Sequence, residues 1–184
     1  MSRAFVSESD NDFEEEDVPE IKNPLPPGTK NLMTPEGAMR LREQLRVLVN
    51  DKRPKAASLV AHLASPGGFD KDALARERTR LRQLDRRIEY ISALMRNLEV
   101  VDPARQDREQ VRFGAKVTVL EDGSKKSVYR IVGVEESDPS DGLLSWISPL
   151  ARALIGSRVN DDIELSLPGG LRKLTILSIE YPDL

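Results

Sequence analysis

Two long stretches of this chain place apolar residues on an alternating three-and-four spacing, and only Ser65-Pro66-Gly67-Gly68-Phe69-Asp70 separates them. On the second stretch Leu74, Leu81, Leu84, Ile88, Ile91, Met95 and Leu98 keep the spacing, with Glu77 in the one slot that is not apolar. That is the pattern of a coiled-coil seam. The first stretch repeats it with Ala38, Leu41, Leu45 and Leu48, and again past Pro54 with Ala56, Leu59 and Leu63. A connector this short forces two long helices to lie antiparallel, so residues 32–101 are expected to form a hairpin with its tip at 65–72.

The caps agree with that reading. Thr34-Pro35-Glu36-Gly37 opens the first helix, threonine covering free backbone N–H groups and proline standing where its missing donor costs nothing. The helix is expected to reach about Ala64, roughly 45 Å at 1.5 Å per residue, with a kink or a broken hydrogen bond at Pro54. The second helix is expected from about Lys71 to Leu98, stopping before Asp102-Pro103. Asp70 reads equally well as its N-cap, with Asp72 favourable beside the positive helix end.

Residues 1–31 are expected to be a disordered acidic extension. Ser7 to Glu20 holds eight carboxylates and no base, and Pro24, Pro26, Pro27 and Gly28 follow. Residues 102–110 read as a polar linker. Beyond them the period changes to two. Lys116–Leu120, Val128–Val132, Ile163–Leu167 and Lys173–Leu177 alternate apolar and polar residues, joined by the turns Glu121-Asp122-Gly123-Ser124 and Leu167-Pro168-Gly169-Gly170. Pro149 to Leu154 can make one short helix. The fold class is therefore α+β with segregated parts, a helical hairpin followed by a small, mostly antiparallel β domain at 111–184.

Composition removes several function classes. With no cysteine there is neither a disulfide framework nor a thiolate nucleophile, and the single His62 rules out a zinc site built from several imidazoles. A charged fraction of 32% and an acidic N-terminus without a long apolar run point to a cytoplasmic protein that does not enter a membrane.

Specific strings then resemble the bacterial Gre transcript-cleavage factors, more GreB than GreA. They are Met33-Thr-Pro-Glu-Gly37, Arg40-Leu-Arg42, Arg53-Pro54, Arg80-Leu-Arg-Gln-Leu-Asp-Arg-Arg87 and Val100-Val-Asp-Pro103 in the helical half. In the β half they are Phe113-Gly-Ala115, Tyr129-Arg-Ile-Val-Gly133 and Ile147-Ser-Pro-Leu-Ala-Arg-Ala-Leu154. The resemblance covers about Leu32 to Tyr181. It implies an FKBP-like C-terminal domain that docks at the rim of the secondary channel of bacterial RNA polymerase, through Ser148, Pro149, Leu150 and Arg152. It also implies a coiled coil inserted down that channel toward the 3′ end of the nascent, backtracked RNA, which the net basic run Arg76, Arg78, Arg80 and Arg82 could contact through phosphates. The factor would act as a monomer.

In such factors the tip lends carboxylates to a Mg²⁺ ion of the polymerase, a hard cation that prefers oxygen ligands. The chain is expected to bring no cofactor of its own and no enzyme activity beyond stimulating the polymerase. The family tip reads Gly-Asp, two further residues, then Glu-Asn. Here Gly67-Gly68-Phe69-Asp70-Lys71-Asp72 is one residue shorter. Asp70 falls near the glutamate, Gly68 near the aspartate and Lys71 where asparagine stands. Asp70 is the candidate shared metal ligand and, with Asp72, the candidate catalytic pair. An i, i+2 pair points in different directions at a helix start, so the expectation leans to polymerase binding without strong stimulation of cleavage. An active cleavage factor is the alternative, and an FKBP-like prolyl isomerase or chaperone is a third reading. That one lacks support in the aromatic set of residues 111–184, which is Phe113, Tyr129, Trp146 and Tyr181.

Overall fold

A computed structural model describes residues 25–26, 28–66, 70–167 and 170–181. The acidic residues 1–24, the tip residues 67–69 and the turn residues 168–169 lie outside that description. Most of the stretch 1–31, expected to be disordered, lies outside the described residues; of those described, Leu25 is buried and Asn31 opens strand β1 (Asn31–Met33). Asn31 is anchored there by its backbone N–H on Asn97 O at 2.8 Å and its amide on Leu94 O at 3.3 Å.

Helix α1 (Pro35–Val47) starts as the capping signal predicts, Thr34 Oγ1 accepting from Gly37 N at 3.0 Å. It does not continue unbroken to Ala64. A π-helical turn at Leu48–Lys52 intervenes, closed by Arg53 N–H on Leu48 O, and α2 (Arg53–Leu63) begins with Pro54 in its first turn. The proline ring cannot tolerate the carbonyl four residues back in a tight α-turn, and a widened turn is one way to move it aside. The extra width shifts the apolar stripe by one position. Ala56 is still buried, but Leu59, expected in the seam, is 40% exposed, while Val60 is partly covered.

Helix α3 (Lys71–Arg96) ends two residues sooner than expected, since Leu98 belongs to β2 (Leu98–Val100), which pairs in parallel with β1. Arg53 Nε meets Asp85 Oδ1 at 2.6 Å and Arg87 meets Gln44 at 3.4 Å, so residue numbers fall on α3 as they rise on the first arm. The two arms therefore run antiparallel. Burial is concentrated at the base, where Ala38, Leu41, Leu48, Tyr90, Ile91 and Leu94 form one cluster with Leu25 and Met33. Each such fully buried aliphatic side chain contributes about 1.5–3 kcal/mol.

After a 3-10 turn at Pro103–Arg105 the chain enters a five-stranded sheet of order β5-β4-β3-β7-β6. Its strands are β3 (Lys116–Glu121), β4 (Lys125–Val132), β5 (Leu143–Ser145), β6 (Asp162–Leu167) and β7 (Gly170–Glu180). All neighbours are antiparallel except β4 and β5. Val117 and Val119 on β3, Ile131 on β4, and Leu174 and Ile176 on β7 face α4 (Pro149–Leu154), whose Ala151 and Leu154 complete a second core. The polar segment before β3 is pinned rather than loose: Pro103 is fully buried and stacks under Gly114, whose φ of 86° and lack of Cβ allow the contact. Tyr181 Oη closes the other end, donating to Gln110 O at 2.5 Å and accepting from Arg112 N at 2.9 Å.

Trp146 is partly buried and packs against both clusters at once, and its indole N–H is buried without an acceptor among the described residues.

Candidate functional site

The first-arm and α3 ends that flank the tip are described up to Pro66 and from Asp70. Asp70 is exposed and caps α3, its Oδ1 accepting from Ala73 N at 2.8 Å. One carboxylate oxygen is thus committed to the helix and one is free to face outward. Asp72 lies in the first helical turn, also exposed. Among the described residues no group of three or more acidic or imidazole side chains converges on a point that could hold a metal ion.

Arg76, Arg78, Arg80 and Arg82 are all exposed along α3. At 100° per residue they fall into two strips, Arg76 with Arg80 and Arg78 with Arg82, instead of one continuous face. Arg80 leans on Glu77 at 3.6 Å and Arg82 on Thr79 at 3.1 Å, whereas Arg76 and Arg78 have no partner among the described residues. Glu77 itself is largely buried, only 19% of its side chain exposed, and one of its oxygens is buried without a donor among the described residues. His62 is exposed near the end of α2.

On the sheet domain Ser148 Oγ caps α4 by accepting from Ala151 N at 3.2 Å, and Leu150 packs against the second core. Pro149 and Arg152 remain exposed, so the four candidate docking residues divide into two that build the helix and two that face outward.

A further set of residues joins the two halves, and sequence reading did not single it out. The 3-10 turn Val134–Glu136 after β4 presses against the base of the arms. Glu135 Oε1 accepts from Tyr90 Oη at 2.7 Å and its Oε2 meets Arg87 at 2.7 Å, with the Arg87 guanidinium 5.1 Å from the centre of the Tyr90 ring. Burial first, and the Glu135 carboxylate second, raise the Tyr90 phenol far above its usual range. Glu136, with 4% of its side chain exposed, accepts from Thr34 N at 3.0 Å, from Gly133 N at 3.1 Å and from the Thr34 hydroxyl. The one available signal was Thr34-Pro35-Glu36-Gly37 itself, a capping sequence whose fourth residue has no side chain.

The family model described as transcription elongation factor, GreA/GreB, C-term matches residues 106–181, and that described as transcription elongation factor, N-terminal matches residues 31–100. The chain is 40% identical over 156 residues to transcription elongation factor GreB of Neisseria meningitidis serogroup B, spanning 83% of this chain and 95% of that protein. It is 34% identical over 151 residues to transcription elongation factor GreA of Brucella canis, spanning 81% and 96%. Among solved structures, GreA factor homolog 1 of Thermus thermophilus overlaps 83% of this chain and 99% of its own at 21% identity, with a TM-score of 0.40.

Proposed function

The chain belongs to the GreA/GreB family of transcription elongation factors, closer to GreB, and from that premise we propose that it binds bacterial RNA polymerase and enters its secondary channel with the helical arms. In this reading the arms are a coiled-coil rod, and the sheet is an FKBP-like domain that docks at the channel rim. Pro149 and Arg152 are its outward-facing contacts. The observation that carries the reading is the antiparallel pair of arms, bridged by Arg53 and Asp85 at 2.6 Å, with α2 ending at Leu63 and α3 starting at Lys71. A rod of that kind, about 45 Å long, suits a reach from a surface to a buried centre.

The same reading assigns weak or absent stimulation of RNA cleavage. The chemistry would belong to the polymerase and its Mg²⁺ ions, and Asp70 would supply one oxygen while its other oxygen holds the helix cap. Lys71 beside it adds positive charge where the family has asparagine. Arg76 and Arg78, exposed and without partners among the described residues, are the cations best placed for RNA phosphates.

The test uses the full chain on a backtracked polymerase complex, measuring binding and RNA cleavage in parallel. Binding with little added cleavage supports the proposal. Strong Mg²⁺-dependent cleavage means an active cleavage factor, and no binding removes the polymerase reading altogether.

A further inference from the structure

An ordinary capping box at a helix start is reciprocal. The N-cap hydroxyl accepts from the backbone N–H three residues on, and a Glu or Gln at that third position reaches back to the N-cap N–H. At α1 the first half is present, Thr34 Oγ1 accepting from Gly37 N at 3.0 Å. The second half cannot come from Gly37. It comes from Glu136 of the sheet domain, whose Oε2 accepts the Thr34 N–H at 3.0 Å. The Glu136 carboxyl group occupies the space that a side chain on Gly37 would fill: a Cβ built there lies 2.2 Å from Glu136 Cδ and Oε1. Glu136 also holds its own turn through Gly133 N at 3.1 Å, and Gly133 has no room for a Cβ, which would meet Leu32 O at 2.6 Å.

We propose that Thr34, Gly37 and Glu136 form a capping box completed from the other domain, and that this box is the joint fixing the angle between the helical arms and the sheet. Glycine is a poor residue inside a helix, where its backbone loses the most conformational freedom. Its presence at the third helical position is explained by the carboxylate it admits. Glu135 reinforces the joint one residue earlier through Tyr90 and Arg87. Val134, Trp146 and Ile147 give it an apolar floor. Glu136 is thus a positioning residue. The arms are held in one orientation before any partner is met, which spares the ordering cost of association. That consequence for polymerase rests on the function proposed above; the joint itself does not.

The chain has no cysteine, so Ser58→Cys on α2 and Ser124→Cys in the β3–β4 turn give clean spin-label sites for a distance measurement on the free, full-length protein. The unmodified joint should give one narrow distance distribution. Gly37→Glu rebuilds the box within α1 and evicts Glu136, so the distribution should broaden while the helices melt no earlier than before. Glu136→Ala should broaden it as well, and Glu136→Gln, which keeps an acceptor for Thr34 N and Gly133 N, should leave it narrow. A broad distribution in the unmodified joint, or a narrow one in Gly37→Glu, overturns the proposal. In polymerase competition Gly37→Glu should weaken binding by about tenfold, as loss of a preset orientation implies. If the unmodified protein fails to bind polymerase while the distances behave as described, the functional reading falls and the joint stands.

Discussion

Tyr90 on α3 donates its phenolic proton to Glu135 of the sheet domain at 2.7 Å, so a residue outside the expected heptad pattern ties the arms to the neighbouring domain. The proton is held far above the usual phenol range, by burial before anything else. A group whose folded pKa is raised stabilises fully below its unfolded value and loses that contribution as pH rises toward the folded one. Stability should therefore be flat through neutral pH and fall above about pH 10. Tyr90→Phe should cost about 1.5–3 kcal/mol at pH 7, the scale of a hydrogen bond to a charged group. Urea melts from pH 7 to 11 check both, and the alkaline fall should be shallower in the variant.

A second prediction separates the observed seam from the one read in the sequence. Ile91 is fully buried, so Ile91→Ala should destabilise the arms by about 2–5 kcal/mol. Leu59 stands in the same heptad pattern but is exposed, so Leu59→Ala should change stability by less than about 0.5 kcal/mol. Thermal melts followed by circular dichroism decide it. Equal losses at the two positions would mean that the π-turn does not shift the stripe.

That contrast shows what was legible in the sequence and what was not. The helices, the short α4 and four strands follow from period and caps, because each is a local pattern with a local cause. The π-turn does not, since Pro54 announces only that something must give and the surrounding packing chooses what. Strands β1, β2 and β5 escaped because each has three residues, too few to show a period. The Glu136 joint escaped for a different reason: its two halves are 102 residues apart, and the clue at Gly37 is a missing side chain rather than a present one. Of the candidate site residues, exposure of the arginines could be expected from charge. The division of Ser148, Pro149, Leu150 and Arg152 into two that build α4 and two that face outward needed the helix's actual orientation.

A third prediction concerns acid. Glu121 ends β3 with 7% of its side chain exposed, accepting from Tyr129 Oη at 2.6 Å. That hydrogen bond is the main reason its carboxyl titrates below the usual range, with Ser127, Lys125 and Arg172 adding to it. A depressed folded pKa means stability that is complete above the unfolded value and lost as pH falls through the folded one. The sheet domain should thus weaken progressively below about pH 4.5. Glu121→Gln should be less stable at pH 7 and show a shallower acid limb, measured by tryptophan fluorescence in urea between pH 3 and 7. An acid limb of unchanged steepness would remove Glu121 as its source.

The last prediction concerns the tip, where Asp70 has two separable duties. As a cap it needs only an acceptor for Ala73 N, and asparagine serves nearly as well as aspartate. As a partner for a polymerase Mg²⁺ it needs negative charge. Asp70→Asn should therefore keep helix stability within about 0.5 kcal/mol, while Asp70→Ala should lose about 1 kcal/mol through the lost cap. Both should abolish whatever RNA cleavage the unmodified protein stimulates. Gly68→Asp together with Lys71→Asn brings the tip closer to the family's pairing of carboxylates and should raise the cleavage rate on a backtracked complex without changing polymerase affinity. Single-turnover cleavage at fixed Mg²⁺, paired with a binding measurement on each variant, reads all four substitutions. Should Asp70→Asn cleave as well as the unmodified protein, the side chain is a cap and nothing more. Should the double substitution add nothing, the low negative charge of this tip is not what limits the reaction.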